Sequence, residues 1–294
     1  MANTLDPWKG ESRSVVLQEV LSEAFVGSQV AANTKFEGQF NGNDTVHFPR
    51  LTPITTQDLP TSYSDVTVQN LVETDETFTI DKRRASAFEI SNEDLIELRV
   101  DPSSQAIKDM AQAFASDYDD EIMAEYANAG FDIDDGDMTT ATNSGAGNPI
   151  KLTKSNIYDF VTAIAEKMDE NNMPNADRRL ILSPAEKRLL IQAPELVRDT
   201  AMGDMVVTGG YMGMIDNIQI RYSNNLVSAA GVKHALAGAG NPICFAANIR
   251  PQVEITPSQY RTSFTSLVKA QTKYGTKVFT EGANKLLDVN LFTA

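Results

Sequence analysis

The sequence predicts an α+β fold, and three observations carry that prediction. Residues 35–90 hold short runs in which apolar and polar residues alternate, separated by turn residues. A single long stripe at helical spacing follows over residues 101–130. Beyond residue 150, helical and strand-like segments alternate to the end of the chain.

The elements follow in order. Val16, Leu17, Val20, Leu21, Ala24 and Phe25 recur at helical spacing with Glu19 and Glu23 opposite, which predicts a short amphipathic helix. Trp8, the only tryptophan, precedes it in an irregular stretch. A lone helix of this length is marginal in water, so it is expected to dock on another surface. Next, Thr45-Val46-His47-Phe48, Val66-Thr67-Val68 and Thr77-Phe78-Thr79-Ile80 alternate as strands, and Phe88 and Ile90 close the pattern. Asn41-Gly42-Asn43-Asp44 predicts a turn, and Pro49, Pro53 and Pro60 interrupt the middle. Each strand has one apolar face and few large residues lie between them. An extended β-arm resting on neighbouring protein fits this composition better than a free-standing domain.

Asp101 and Pro102 are favourable cap and first-turn residues for a long helix, and Gly130 is placed to end it. Ile107, Met110 or Ala111, Phe114, Tyr118, Ile122 and Tyr126 trace its apolar stripe. About 28 residues at 1.5 Å each make a rod of roughly 42 Å. Asp117, Asp119, Asp120, Glu121 and Glu125 crowd its second half. Residues 132–148 form a polar turn and a plausible boundary. Thr153 then caps a helix bearing Ile157, Phe160, Val161, Ile164 and Met168, which Asn172-Met173-Pro174 ends. Leu180-Ile181-Leu182 predicts a buried strand, and Ser183-Pro184-Ala185-Glu186 a capping box opening another helix. Ile218, Ile220 and Tyr222 alternate as a strand, followed by an Ala/Gly-rich loop over 228–240. Further strands are expected at 243–247, 253–255, 264–269 and 277–279, with a last one through Leu287, Val289 and Leu291. No internal repeat is visible.

Composition excludes several classes. Twenty-five Lys and Arg against 40 Asp and Glu leave a net charge of −15, the wrong sign for a general nucleic-acid or anionic-membrane binder. The single cysteine, Cys244, rules out an intrachain disulfide framework or a thiolate zinc cluster. No run of eighteen apolar residues is present, and Met1 to Trp8 show no basic region followed by an apolar core. A soluble protein made in a reducing or redox-indifferent setting is expected.

The catalytic inventory is thin. His47 lies in an alternating strand and His234 in the Ala/Gly-rich stretch, so each is expected to be structural or solvated rather than a general base. Cys244 sits between Ile243 and Phe245, where packing is the expected role. Asp132, Asp134, Asp135 and Asp137 resemble a calcium loop, but the sixth position is Asp137 and the twelfth Asn143, which breaks the pattern. A solvated acidic turn is expected there. Gly209-Gly210-Tyr211-Met212-Gly213 lacks the spacing and the Lys-Ser/Thr of a phosphate loop. Lys82-Arg83-Arg84 is expected to pair with carboxylates. No catalytic, cofactor-binding or metal residue is assigned, no cofactor is expected, and the residues do not argue for an enzyme.

The order of the pieces resembles the major capsid protein of tailed bacteriophages, the Hong Kong 97-type coat fold. Five phrases carry the likeness over most of the chain. Gly42-Asn43-Asp44-Thr45-Val46-His47-Phe48-Pro49-Arg50 is similar to the start of that family's extended loop, and Phe78-Thr79-Ile80-Asp81-Lys82 to its returning strand. Asn171-Asn172-Met173-Pro174 with Arg179-Leu180-Ile181-Leu182-Ser183-Pro184 resembles its axial-domain phrase. Residues 210–220, continued by Tyr222-Ser223-Asn224-Asn225-Leu226, and Lys273-Tyr274-Gly275-Thr276-Lys277-Val278 match two more. Asp216-Asn217 stands where many relatives carry a glycine.

The resemblance implies an N-terminal arm at 1–33, an extended β-hairpin loop at 34–91, a peripheral domain with a long spine helix at 92–150 rejoined by 249–294, and an axial domain at 151–248. It implies a structural coat protein that self-assembles as pentamers and hexamers into an icosahedral shell around double-stranded DNA, without sequence-specific binding. The partners implied are further copies of itself, portal and scaffolding proteins, and decoration proteins, with no membrane. The location implied is the virion, after assembly in the host bacterial cytoplasm. An encapsulin-type nanocompartment shell shares the fold and is the nearest alternative; an α/β enzyme or small-ligand binder using the turn near Gly210 is the second.

Overall fold

The computed structural model describes residues 32–33, 44–52, 54–58, 68–91, 102–194, 214–257 and 265–293. Three sheets organise them. A four-stranded sheet has the order β1 (Ala32–Asn33), β11 (Ile243–Pro257), β12 (Thr265–Val278), β4 (Lys82–Ser91). A second sheet runs β5 (Phe131–Ile133), β13 (Leu286–Phe292), β10 (Val232–Ala239), β6 (Arg178–Leu182), β8 (Ile218–Tyr222), β7 (Met214–Ile215), with β9 (Val227–Ala229) beside β10. The third is a hairpin of β2 (Thr45–Leu51) and β3 (Glu73–Thr79). Helices α1 (Pro102–Ala124), α2 (Ile157–Glu170), α3 (Pro184–Ile191) and the single turn α4 (Thr280–Ala283) complete the described part. Mixed helix and strand content in separate blocks is the α+β class that the sequence predicts. The amphipathic helix at 16–25, the strand at 66–68 and the glycine-rich turn at 209–213 lie largely or wholly outside the described residues.

Helix α1 joins the two large sheets. Ile107, Met110, Ala111 and Phe114 pack on Val268 and Ala270 of β12, so the first half covers the four-stranded sheet. Tyr118, Ile122 and Met123 meet Ile243, Phe245 and Tyr274 from that sheet together with Ile181, Leu236 and Leu286 from the seven-stranded one. The stripe read from spacing is therefore the buried one. Its end differs from expectation: a 3-10 turn at Glu125–Asn128 leads to Ala129 in extended conformation, and the Gly130 N–H bonds the Ala283 carbonyl at 3.0 Å. Gly130 serves close approach, since a Cβ there would stand 2.5 Å from that oxygen.

Helix α2 covers the other face of the seven-stranded sheet through Ile157, Phe160, Val161, Ile164 and Met168. It starts at Ile157 behind Asn156 rather than under a Thr153 cap. The Asn156 side-chain oxygen accepts from the Thr153 N–H at 2.6 Å and from its hydroxyl at 3.0 Å, which ties the approach into a turn. Met173 is buried just beyond the helix, and its N–H bonds the Met168 carbonyl at 2.9 Å. The Ser183 capping box with Pro184 and Glu186 forms as the sequence predicts. Asp216 and Asn217 both have positive φ, 48° and 62°, and make the two-residue turn between β7 and β8; Asn and Asp tolerate this region, so no glycine is needed.

Two expectations are overturned. Residues 228–240 are no loop: β10 occupies 232–239 and pairs with β13 on one side and β6 on the other. Ala235, Ala237 and Ala239 face the α2 core while Leu236 faces α1, so both faces are covered and small residues suit the space. The short strands expected at 243–247 and 253–255 are one strand, β11, with register shifts near Ala247, Ile249 and Gln252. Those at 264–269 and 277–279 fuse into β12 in the same way. Polar residues in the middle of β12 hid its continuity, but it lies between β11 and β4 and is paired on both edges.

The acidic turn is built around one carboxylate. Asp135 is buried and accepts from the Thr142 N–H (2.6 Å) and hydroxyl (2.5 Å), the Asn143 N–H (2.6 Å) and the Gly145 N–H (2.9 Å). Burial alone would raise its pKa, but the Thr142 and loop N–H donors outweigh that and hold it at about 2. Because the folded value lies below the ordinary 3.8, the group stabilises the fold above about pH 4 and loses that contribution as pH falls towards 2, about 2 kcal/mol in all. Urea midpoints should therefore drop through this window in the native chain. In Asp135→Asn that part of the pH dependence should vanish; an unchanged acid slope would show that the loop does not depend on this charge.

Candidate assembly surface

Among the described elements, the hairpin of β2 and β3 has little core of its own. Its register runs from Thr45 opposite Thr79 to Leu51 opposite Glu73. Near the body of the protein it is firmly held. Phe78 and Ile80 are buried against Cys244 and Ala246 of β11, with Val46, Phe48 and Phe279 around them. Phe48 and Phe279 meet edge to face at 5.1 Å. Polar clamps surround this root. The Thr280 hydroxyl donates to Glu76 and lowers the Glu76 pKa, and Arg50 approaches the same carboxylate at 3.3 Å. Lys273 pairs with Asp44. Gly275 lies under the turn that leaves β3: a Cβ there would stand 2.6 Å from the Thr79 carbonyl oxygen, so the Tyr-Gly phrase in β12 has a steric reason.

Beyond the root the character changes. The Thr52 N–H bonds the Val72 carbonyl at 2.9 Å, and the Gln69 amide brackets Thr55 by donating to its carbonyl at 2.7 Å and accepting from its N–H at 3.0 Å. These bonds keep the two sides of the hairpin together, yet their apolar side chains are left largely exposed. Leu51, Ile54, Leu71 and Val72 are more than half exposed and Val68 is 87% exposed. Scattered exposed apolar residues are ordinary, but five on one projecting hairpin make a surface for another molecule. Sequence alternation predicted the strands, Val66-Thr67-Val68 among them; the apolar residues of 51–65 stand among prolines, threonines and aspartates and gave no such signal.

The residues weighed singly fall apart from one another. His47 is exposed and pairs with Asp75 at 2.5 Å on the hairpin. His234 lies on β10, not in a loop, where it contacts Asp288 of β13 at 2.8 Å and stacks on Tyr126 with ring centroids 3.9 Å apart. Cys244 is buried, and burial pushes its thiol up to about 11, the opposite of nucleophile activation. The basic run pairs with α1 as expected: Lys82 with Glu121 at 2.9 Å, which raises the Lys82 pKa, and Arg84 with Asp117 at 3.6 Å. Two of the five carboxylates that crowd the second half of the helix, Asp117 and Glu121, are thereby compensated within the subunit. Sequence reasoning missed the Glu186 cluster, where Lys233 reaches that buried carboxylate at 2.9 Å across 47 residues. Among the described residues no group of three or more His, Cys, Asp or Glu side chains is arranged to hold a metal.

A long helix bridging two sheets, with a clamped hairpin whose far end is apolar and uncovered, defines a subunit of a larger protein assembly. The sequence matches the phage capsid protein family over residues 73–280, and the chain belongs to that family. Solved structures agree on the fold. A chain from Mycobacterium phage Che8 superposes with a TM-score of 0.73 at 19% identity, covering 90% of each chain. The capsid of cyanophage P-SCSP1u gives 0.65 at 18%, covering 90% of this chain and 86% of that one. A virus-like particle from Pyrococcus furiosus gives 0.57 at 9%, covering 96% and 99%. No curated protein sequence matches the chain. The protein is thus a structural major capsid protein, a component of the virion shell whose copies associate into capsomers.

Proposed function

We propose that these capsomers are pentamers and hexamers that tile an icosahedral shell around double-stranded DNA. The observation that carries this is the distal hairpin, with Leu51, Ile54, Val68, Leu71 and Val72 exposed on an arm rooted in the subunit core. Burying those side chains on a neighbouring copy supplies a hydrophobic contact at every subunit, in keeping with the large apolar interfaces of obligate assemblies. The net charge of −15 suits a wall that encloses DNA without adhering to it. Portal, scaffolding and decoration proteins would complete the particle, with assembly in the host bacterial cytoplasm.

Within the subunit we assign 1–33 to an arm, 34–91 to the extended loop, 92–150 with 249–294 to a peripheral domain and 151–248 to an axial domain. The division follows the chain rather than the sheets, since β5 and β13 from the peripheral stretches pair into the sheet that holds β6, β8 and β10.

Electron microscopy of the protein expressed with its neighbouring phage genes tests the proposal. Closed shells with fivefold and sixfold capsomers, holding nuclease-protected DNA after infection, are the expected result. A monodisperse monomer by light scattering under the same conditions would overturn it, and shells that enclose protein cargo in place of DNA would assign the chain to a nanocompartment.

A further inference from the structure

Three titratable side chains stand in a row on adjacent strands of the seven-stranded sheet: Asp132 of β5, Asp288 of β13 and His234 of β10. Asp288 and His234 share the parity of Leu286 and Leu236, which face α1. Asp132 is the register partner of Asp288, so the two side chains leave one face about 5 Å apart, where like charges repel. On its other flank Asp288 meets His234: Oδ2 lies 2.8 Å from Nδ1, and the side chains are only 13% and 14% exposed. The second oxygen, Oδ1, is buried, and no donor among the described residues reaches it. A buried carboxylate oxygen without a donor is costly to keep charged. Burial is the main cause that lifts the Asp288 pKa; the His234 contact opposes it and Asp132 adds to it.

The described elements around the row leave its charge unbalanced. Tyr126, on the 3-10 turn after α1, stacks on the imidazole with centroids 3.9 Å apart, while Glu125 beside it bonds Thr276 and Asn128. The end of α1 contributes Tyr118, Ile122 and Met123, with Tyr118 bonded to Thr272. β9 carries no ionisable side chain. Lys233 turns to the opposite face to meet Glu186. Lys167 of α2 feels Asp132 but is engaged by Asp137 at 2.5 Å. Glu281 and Lys285 line the cleft at the hairpin root. With a neutral imidazole the row therefore carries two negative charges, and one added proton halves that charge.

We infer that Asp132, Asp288 and His234 form an acid-responsive latch: in mildly acidic solution they take up a proton, held between Asp288 and its two neighbours, which fastens β5 to β13 and the end of α1 to the sheet. β5 is the three-residue edge of its sheet and follows α1 through the 3-10 turn, so its hold on β13 sets how firmly that helix end is docked. A carboxyl whose folded pKa stands above the ordinary 3.8 stabilises the fold while protonated. That contribution is lost as pH rises through the raised value, the reverse of the behaviour of Asp135. The inference concerns the subunit alone and holds whether or not its copies build an icosahedral shell.

Amide exchange of the full-length chain, read by mass spectrometry and corrected for the intrinsic pH dependence of exchange, tests the latch. The range is about pH 8 to about pH 5, above the window in which Asp135 protonates. Protection of Phe131–Ile133 should rise about tenfold on acidification. Asp132→Asn, at an exposed edge position, removes one charge and should cut the rise to about threefold. Asp288→Asn should abolish it, and His47→Gln, which removes the other histidine, should leave it intact. Protection that stays flat or falls towards pH 5 in the native chain would overturn the inference, as would a full rise in either aspartate variant. Loss of the rise in His47→Gln would assign the proton to the other histidine, with the same consequence. If Asp288→Asn does not fold, Asp132→Asn decides alone.

Discussion

Replacing residues 53–71 by Asn-Gly leaves a folded subunit that no longer forms shells. The cut is placed by the structure. Thr52 and Val72 are bonded at 2.9 Å, which is the closing pair a two-residue turn requires, and Asn-Gly supplies the positive φ values of that turn. Removing the whole of 45–80 instead would take Phe78 and Ile80 out of the core and confuse loss of assembly with loss of fold. The shorter excision discards Ile54, Val68 and Leu71, which are exposed in the subunit, so no residue described as buried is lost. Shortening the loop lowers its closure cost by about 2 kcal/mol at most, and the melting temperature should hold or rise slightly. Assembly has the opposite balance. Three apolar side chains at about 1.5–3 kcal/mol each disappear from every inter-subunit contact. Light scattering and electron microscopy should show capsomers or monomers only; shells of normal size would remove the hairpin from the assembly mechanism.

Phe78→Ala is expected to destabilise the protein by about 3–5 kcal/mol. Phe78, on β3, is fully buried against Cys244 and Ala246 of β11 and against Phe279. Since a domain has only about 5–15 kcal/mol in reserve, the change consumes a large share of the total. The loss is local in origin, so amide exchange in β2 and β3 should accelerate more than in the seven-stranded sheet. Phe78→Leu should recover most of the stability. Val68→Ala, on the same hairpin but exposed, should melt within about 0.5 kcal/mol of the native chain yet yield fewer shells. Equal melting of Phe78→Ala and the native chain would mean that the root is not packed as described.

Several parts of this protein were decided by neighbours within one helix turn or one strand. The α1 stripe, the alternation in β2, β3 and β4, the Ser183–Glu186 capping box and the buried strand at Leu180 all follow from period and local hydrogen bonding, so the linear sequence determines them. The α+β class follows from their order. Pairing of Lys82 and Arg84 with carboxylates was also legible, because an acidic chain offers partners wherever a basic run falls, although only the fold selects Glu121 and Asp117.

The rest depended on what lies across the sheet. Ala235, Ala237, Gly238 and Ala239 have weak strand propensity and look like a loop. They form the centre of a sheet because β6 and β13 pair on both sides and two helices leave room only for small side chains. β12 reads as two fragments because Gln271, Thr272 and Lys273 are polar; they stay in strand because β11 and β4 satisfy the backbone on both edges, while Tyr118 bonds Thr272 and Asp44 meets Lys273. The clamp of Thr280 on Glu76 joins residues 204 positions apart, and the stack of Tyr126 on His234 is likewise non-local. Local propensity is worth a few tenths of a kcal/mol per residue, whereas pairing and burial are worth several times that. The sequence by itself therefore determined the class and the elements rich in periodic signal. Tertiary packing decided the continuity of the polar and small-residue strands, and left the far end of the hairpin as an exposed apolar surface.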